Sequence, residues 1–234
     1  HEMGNVLTKS GRKVYAVCHI KRDKAEAYGN EYQVGKVFYN IDEMLKDEKL
    51  DIVYIAVPHN LHYEMIIKAL KAGKHVLCEK VITVNNIQLE EAVQIANERK
   101  LVLMEGMTIY HMPLFKEVKK RIDSGIIGRV KLVQVNFGSC KEYDVTNRFF
   151  AKELAGGALL DIGVYAVSFA RYFLDGKPDN ILTTAQYFET GVDEESGIIM
   201  QNEQGQMVVT ALTMRAKQPK RGVVAGEKGY IEID

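Results

Sequence analysis

The sequence predicts an α/β fold: a Rossmann-type doubly wound parallel sheet, followed by an α+β domain with an open antiparallel sheet. Three observations carry this prediction. Short apolar runs alternate with segments of helical length from residue 1 to about 105, the pattern of strands joined by crossover helices. The stretch 51–80, DIVYIAVPHNLHYEMIIKALKAGKHVLCEK, reads as strand, polar turn, helix and second strand, a complete βαβ unit. Beyond Gly106, several strand-like runs follow one another without helices between them, which points to antiparallel pairing. The expected domains are therefore 1–106 and 107–234.

Residues 1–10 read as a helix that leads directly into a strand over 12–18. A doubly wound domain opens on a strand and a glycine-rich turn; the chain begins without them, so a piece is expected to be missing at the amino end. The turn 19–22 precedes a helix from Asp23 to about Tyr32, and 37–39 is a short strand. Asn40 to Glu43 resembles a capping box for a helix over 41–45. Residues 51–57 are almost continuously apolar, as suits a parallel strand covered on both faces. Pro58 ends that strand, and Asn60 is the expected N-cap of a helix over 61–72. Leu61, Met65, Ile66, Ala69 and Leu70 form its buried stripe. Gly73 stops the helix and 75–78 is the next strand. A helix over 87–100, with Leu89, Val93 and Ala96 inward, precedes a strand over 101–104. In the second domain, 113–124 is a basic amphipathic helix and 129–137 alternates like a half-exposed strand. Gly156 and Gly157 open an apolar helix that runs to Leu174. Strands are expected over 181–189, 196–201, 206–213 and 230–233, with a hairpin at Gly205.

Hydrophobic residues make up 47% of the chain, ample for a packed core. Lys+Arg and Asp+Glu are both 31, so no basic excess points to nucleic acid or an anionic membrane. No apolar run is expected to approach the ~18 residues that span a bilayer. The three widely spaced cysteines, Cys18, Cys78 and Cys140, read as thiols of a reducing compartment. A cytoplasmic protein acting on a small molecule is the expectation.

In an open parallel sheet, ligands lie beyond the carboxyl ends of the strands. Val57-Pro58-His59-Asn60 and Cys78-Glu79-Lys80 occupy two such ends, which makes Lys80 a candidate for chemistry; a lysine at a strand end is otherwise a surface residue. Asp161 and Tyr165 are four apart in ALLDIGVYAVSF, so a helix sets them on one face among apolar neighbours. Such a pair either satisfies itself within the packing or lines a cavity. After the strand at 12–18 no carboxylate stands before Asp23, whereas Lys21 and Arg22 are close by. That leans toward the 2′-phosphate of NADP over the 2′-hydroxyl of NAD, with a solvated basic turn as the plain alternative. His59 and His62, with Glu64 and His75, lack a third ligand at zinc-like spacing, so no metal is assigned.

Pro58-His59-Asn60-Leu61-His62, Glu79-Lys80 and the run GGALLDIGVY from Gly156 to Tyr165 together resemble the family of glucose–fructose oxidoreductase, inositol dehydrogenase and their relatives (Gfo/Idh/MocA). The resemblance covers essentially the whole chain. It is closest to the dihydrodiol dehydrogenase-like branch, whose helix carries tyrosine; Glu189-Thr190-Gly191-Val192-Asp193 also looks like that branch. It implies an NAD(P)-dependent oxidoreductase that moves hydride between nicotinamide and a hydroxyl/carbonyl group of a sugar-like or diol substrate. By the resemblance, Tyr165 exchanges the proton, Lys80 orients the substrate and helps position the nicotinamide ribose, and Asp161 holds or polarises the substrate. Arg148 holds the substrate or forms a structural salt bridge. Val57, Pro58, Asn60, His62, Glu79 and Lys80 are the implied cofactor contacts near the nicotinamide, and Lys21 and Arg22 those at the adenosine end. An unperturbed tyrosine has a pKa of ~10, so Lys80 is expected to draw Tyr165 down toward neutrality. The family usually has proline after Glu-Lys, in a peptide that is often cis; Val81 stands here. The family's final strands are also expected to be missing after Asp234. Relatives pair through the face of the carboxyl-terminal sheet, which implies a homodimer or higher homo-oligomer. In 206–213, neither Met207, Val209, Ala211 and Thr213 nor Val208, Thr210 and Leu212 makes a strongly polar face. The alternative reading is a non-catalytic NAD(P)-binding sensor on the same fold.

Overall fold

The structure is a computed structural model that describes residues 2–234. The chain folds as two compact units. One comprises the residues up to Ile55 with Tyr63–Cys78 and Glu90–Met104; the other comprises Ala56–His62, Glu79–Leu89 and Glu105–Asp234.

In the first unit, α1 (Glu2–Lys9) leads to β1 (Ala16–Cys18), α2 (Arg22–Glu31), β2 (Lys36–Phe38) and α3 (Ile41–Leu45). Then come β3 (Ile52–Ile55), α4 (His59–Lys71), β4 (His75–Cys78), α5 (Asn86–Glu98) and β5 (Leu103–Glu105). β1 pairs with β2 in parallel, and β3 pairs in parallel with β4, which neighbours β5. The sheet therefore comes as two parallel ladders, because among the described residues no strand joins β1 to β3. β1 is also shorter than expected: its ladder runs only from Ala16↔Lys36 to Cys18↔Phe38.

Several local expectations shift by a residue or two for identifiable reasons. Asn40 caps α3, but its side chain accepts from the Asp42 N–H at 2.7 Å and not from Glu43. α4 begins before Asn60, because the Leu61 N–H already reaches the Pro58 carbonyl at 2.9 Å; Asn60 lies in the first turn and is exposed. In that turn the buried positions go to His59 and His62, and Leu61 is exposed; Ile66, Ala69 and Leu70 are fully buried further along. On α5, Ala92 and Ala96 are buried and Val93 is exposed, so the close-packed stripe is made of small residues one turn apart.

The second unit contains α6 (Pro113–Asp123), β6 (Val130–Gly138) and α7 (Val164–Phe173), followed by β7 (Pro178–Tyr187), β8 (Asp193–Asn202), β9 (Met207–Thr213), β10 (Arg221–Gly226) and β11 (Tyr230–Ile233). Its sheet has the order β11-β10-β6-β9-β8-β7. All its pairs are antiparallel except β6 with β9, which run parallel from Leu132↔Met207 to Gly138↔Thr213. β10 was not among the strands expected from the sequence. Its Gly222 serves packing: a Cβ there would lie 2.4 Å from the Phe169 ring on α7. The inner face of the sheet (Val133, Met200, Val208, Val224) packs with Ala166, Phe169, Ala170 and Phe173 of α7. Each large side chain so buried is worth about 1.5–3 kcal/mol. The β8–β9 hairpin turns at Gly205 with φ 72°, a backbone state that glycine adopts without steric cost.

Contrary to the expectation of no long apolar run, 152–173 is long and apolar enough by length and composition to cross a bilayer, with a mean hydropathy of 1.3. It is not one regular helix. A 3₁₀ turn (Lys152–Leu154) gives way to Ala155 at φ 57° and Gly157 at φ 106°, then to a π-helical turn and α7. Half of its most apolar window is buried inside the fold. A lipid-exposed span needs every backbone group satisfied within the helix, whereas this stretch is broken and sheathed by the unit's own core.

Candidate active site

The site is built on the π-helical turn Leu159–Gly163 that opens α7. Gly156 and Gly157 make the entry possible. A Cβ on Gly156 would meet the Phe149 carbonyl at 2.6 Å, and one on Gly157 would lie 2.2 Å from Asp193 Oδ1. In that vacated space the Asp193 carboxylate accepts the Leu159 N–H at 2.7 Å and the Ser196 hydroxyl at 2.8 Å, and so satisfies one of the free donors at the helix start. At its far end the turn closes with the Val164 N–H reaching the Leu159 carbonyl. Such single π turns are frequent at functional positions, and this one carries Asp161.

Asp161 is 6% exposed. The Lys80 ammonium donates to its backbone carbonyl at 2.6 Å and to Oδ1 at 3.2 Å. Asp161 is buried and Lys80 is partly so, and breaking the pair leaves an uncompensated charge. The Lys80–Val81 peptide is cis. Lys80 also lies over the Tyr165 ring, 4.9 Å from its centroid, and that ring stacks on Phe137 with centroids 5.8 Å apart. Among the described residues the Tyr165 hydroxyl takes no hydrogen bond. Asp161 and Tyr165 therefore do not satisfy each other: Asp161 is spent on Lys80, and Tyr165 keeps a free phenol.

The direction of the Tyr165 shift corrects the expectation from the sequence. Burial, then the charges of Glu79, Asp161 and Glu105, push its pKa above the ordinary tyrosine value. Lys80 does not draw it down, because Asp161 already neutralises that ammonium. Arg148 is peripheral: its guanidinium reaches Asp161 Oδ1 only at 4.0 Å and lies over the Phe149 ring at 4.2 Å.

The turn after β3 behaves differently from its expected role. Val57 and Asn60 are exposed and Pro58 is half-buried. His62 is fully buried, with Nδ1 on the Val81 carbonyl at 2.7 Å and Nε2 on the Val57 carbonyl at 2.9 Å. It has no ring nitrogen left for a cofactor or a metal, so its expected cofactor contact gives way to a structural one. His59 donates to the Ala155 carbonyl at 3.2 Å; burial, with the nearby His62, Lys80 and Arg148, holds its pKa below the usual histidine value. Glu79 is half-buried and close enough to Tyr165 for its charge to be felt. Glu105, which sequence reasoning missed, accepts the Ile82 N–H at 2.9 Å. The signal was available, since Glu105 ends β5 just as Lys80 follows the end of β4.

In the first unit, Lys21 precedes α2 and its N–H goes to His19 Nδ1 at 2.9 Å. Arg22 is exposed, with its guanidinium over the Tyr39 ring at 4.4 Å. A guanidinium resting over a ring has N–H donors available to a phosphate. The donor set at this strand end therefore fits a 2′-phosphorylated nucleotide.

Residues 1–107 match the family model described as oxidoreductase family, NAD-binding Rossmann fold, and 115–232 match the GFO/IDH/MocA C-terminal domain. Trans-1,2-dihydrobenzene-1,2-diol dehydrogenase of Xenopus tropicalis is 32% identical over 230 residues, which cover 98% of this chain and 69% of that protein. Among solved structures, the 3-ketoreductase KijD10 of Actinomadura kijaniata in complex with NADP and TDP-benzene superposes with a TM-score of 0.86 at 28% identity, over 94% of this chain and 68% of that one. The aldose–aldose oxidoreductase of Caulobacter crescentus complexed with glycerol superposes with a TM-score of 0.88 at 25% identity, over 95% and 69%.

Proposed function

Because the chain belongs to the GFO/IDH/MocA family of NAD-binding oxidoreductases, we propose that it is a dehydrogenase/reductase in which Tyr165 exchanges the proton at the hydroxyl/carbonyl oxygen of a sugar-like or diol substrate. The observation that carries this is the unbonded Tyr165 phenol beside a lysine whose charge is already balanced. When bound, NAD(P) supplies or removes the hydride. Tyr165, protonated at neutral pH as an ordinary tyrosine is and with its pKa pushed further up by burial, donates to the carbonyl oxygen in the reductive direction. Lys80 has three N–H donors; two go to Asp161, and the third is free for the substrate oxygen or the nicotinamide ribose. Asp161 thus acts by aiming Lys80, and Arg148 stands at the substrate side. Such a positioned acid contributes about 10²–10⁴-fold in rate.

Residues 1–106 form the dinucleotide-binding part and 107–234 the substrate and dimerisation part. Val57, Pro58, Asn60 and Glu79 flank the nicotinamide end, while Lys21 and Arg22 select NADP. The support for these assignments is that the dihydrodiol dehydrogenases and the NADP-bound 3-ketoreductase align over nearly the whole chain. The solved 3-ketoreductase has also been crystallised with a tyrosine changed to phenylalanine and with a lysine changed to alanine. The outward positions of the second sheet, Leu182, Ile199 and Met207, are exposed and apolar, which supports a homodimer formed through that face. The three free thiols suit a cytoplasmic setting.

The test is a fluorescence titration with NADPH and NADH, followed by pooled sugars, diols and dicarbonyls while the reduced-nicotinamide absorbance is read. Tight NADPH binding with turnover on one pool is the expected result. Binding with no turnover on any pool would replace the enzyme with a nucleotide sensor.

A further inference from the structure

We infer that Glu105 and His62 are positioning residues for Lys80, gripping from both sides the Val81–Ile82 peptide unit that follows it. The inference rests on Lys80 being part of the reacting centre. A lysine head is only as well placed as the backbone beneath its flexible four-carbon stem. Residues 79–85 belong to no strand or helix, so no ladder holds the backbone at Lys80. Two side chains hold it instead. His62 Nδ1 meets the Val81 carbonyl at 2.7 Å, and the Ile82 N–H donates to Glu105 Oε1 at 2.9 Å. Consecutive residues are thus held by two side chains, one at a carbonyl and one at an N–H.

His62 extends the grip, because its Nε2 meets the Val57 carbonyl at 2.9 Å. The turn after β3 and the turn after β4 are tied by one fully buried ring. Each ring nitrogen faces a carbonyl oxygen. Glu105 lies close by: burial raises its pKa, while the Ile82 N–H, His62 and Lys80 act to lower it. A fully buried histidine and a half-buried glutamate are therefore committed to the Val81–Ile82 peptide beside the lysine, and the histidine also to the Val57 carbonyl. A buried polar group is tolerable only when so bonded. With the backbone fixed, the ammonium is delivered to Asp161 and the face of Tyr165.

The decisive variants are Glu105→Ala and Glu105→Gln. Glutamine retains a side-chain carbonyl for the Ile82 N–H, and alanine does not. Glu105→Ala is expected to lower kcat about 10- to 100-fold, as a misplaced group does, with KM for NADPH within about twofold and the circular dichroism spectrum unchanged. Glu105→Gln is expected to recover most of kcat at neutral pH. Amide hydrogen exchange gives a readout independent of activity: Ile82 exchanges faster in Glu105→Ala than in the parent or Glu105→Gln, while the amides of β4 keep their protection. Unchanged Ile82 exchange in Glu105→Ala overturns the grip. Faster Ile82 exchange with parental kcat overturns its bearing on Lys80. Equal loss of kcat in both variants, with general deprotection, reduces Glu105 to a folding role and also overturns it. Lys80→Ala serves as the separate control. If it turns over like the parent, the reading of Lys80 fails, while the Ile82 exchange result still stands on its own.

Discussion

Replacing Tyr165 by phenylalanine separates chemistry from packing at this site. The phenol ring is stacked on Phe137 at 5.8 Å with an interplanar angle of 10°, and Lys80 lies 4.9 Å from its centroid. Phenylalanine keeps both contacts and the same buried ring area. Only the hydroxyl goes, and among the described residues it has no hydrogen-bond partner to leave stranded. The cost in folding is therefore expected to stay within about 0.5 kcal/mol, the range of substitutions that break no contact. The cost in catalysis is different in kind. Losing a positioned acid removes about 10²–10⁴ in rate, which is about 2.7–5.4 kcal/mol of barrier at 1.36 kcal/mol per decade. The loss should appear equally in kcat and kcat/KM, because the proton moves only in the transition state. Steady-state oxidation of NADPH on the active substrate pool, alongside urea unfolding, measures both quantities. Full turnover in Tyr165→Phe would refute the assignment of the proton donor. An equal drop in stability and rate would show the hydroxyl to be structural.

Further expectations follow from the same geometry. Asp161→Asn keeps the backbone carbonyl for Lys80 but removes the buried counter-charge; breaking such a pair costs about 3 kcal/mol or more, read by urea unfolding, and a loss below about 1 kcal/mol would show the pair adds little. Carbonyl reduction should stay level through neutral pH and fall only on the alkaline side, since Tyr165 must be protonated and burial with Glu79, Asp161 and Glu105 raises its pKa. Alcohol oxidation, which needs the same group deprotonated, should rise over that range. Glu105→Gln removes one of those negative charges, so its alkaline limb should move to lower pH; an upward move would contradict the electrostatics. Arg22→Ala should weaken NADPH binding about tenfold, the low end for a charged hydrogen bond because Arg22 is exposed, and leave NADH binding unchanged; equal losses would end the 2′-phosphate assignment. Ile199→Glu, on the outward face of the second sheet, should yield a monomer in sedimentation equilibrium, and an unchanged oligomer would place the interface elsewhere.

Local periodicity carried much of the fold. The apolar run of β3, Gly73 after α4 and the four residues of β4 are signals that act within a few positions of themselves. β10 escaped because the glycine that lets it approach Phe169 looks the same in sequence as a glycine that makes a turn. The N-cap at Asn60 failed because Pro58 starts the first turn earlier. The lysine, aspartate and tyrosine of the candidate site stood out at a strand end and at a four-residue helical spacing, but it was the family resemblance that made them candidates for chemistry. Their bonding was not legible, since Lys80 and Asp161 are 81 residues apart.

The sequence by itself determined most of the elements and which chemical groups stand near their ends, because propensity, capping and hydrophobic period are short-range properties. Tertiary structure alone decided how those groups are used. It spent the Lys80 charge on Asp161, closed both nitrogens of His62 on backbone carbonyls and brought Glu105 to the Ile82 amide. It also reversed the expected shift of Tyr165, raising its pKa where the sequence alone pointed down. Desolvation and charge depend on distances through space, and those distances exist only once strands and turns far apart in the chain have met.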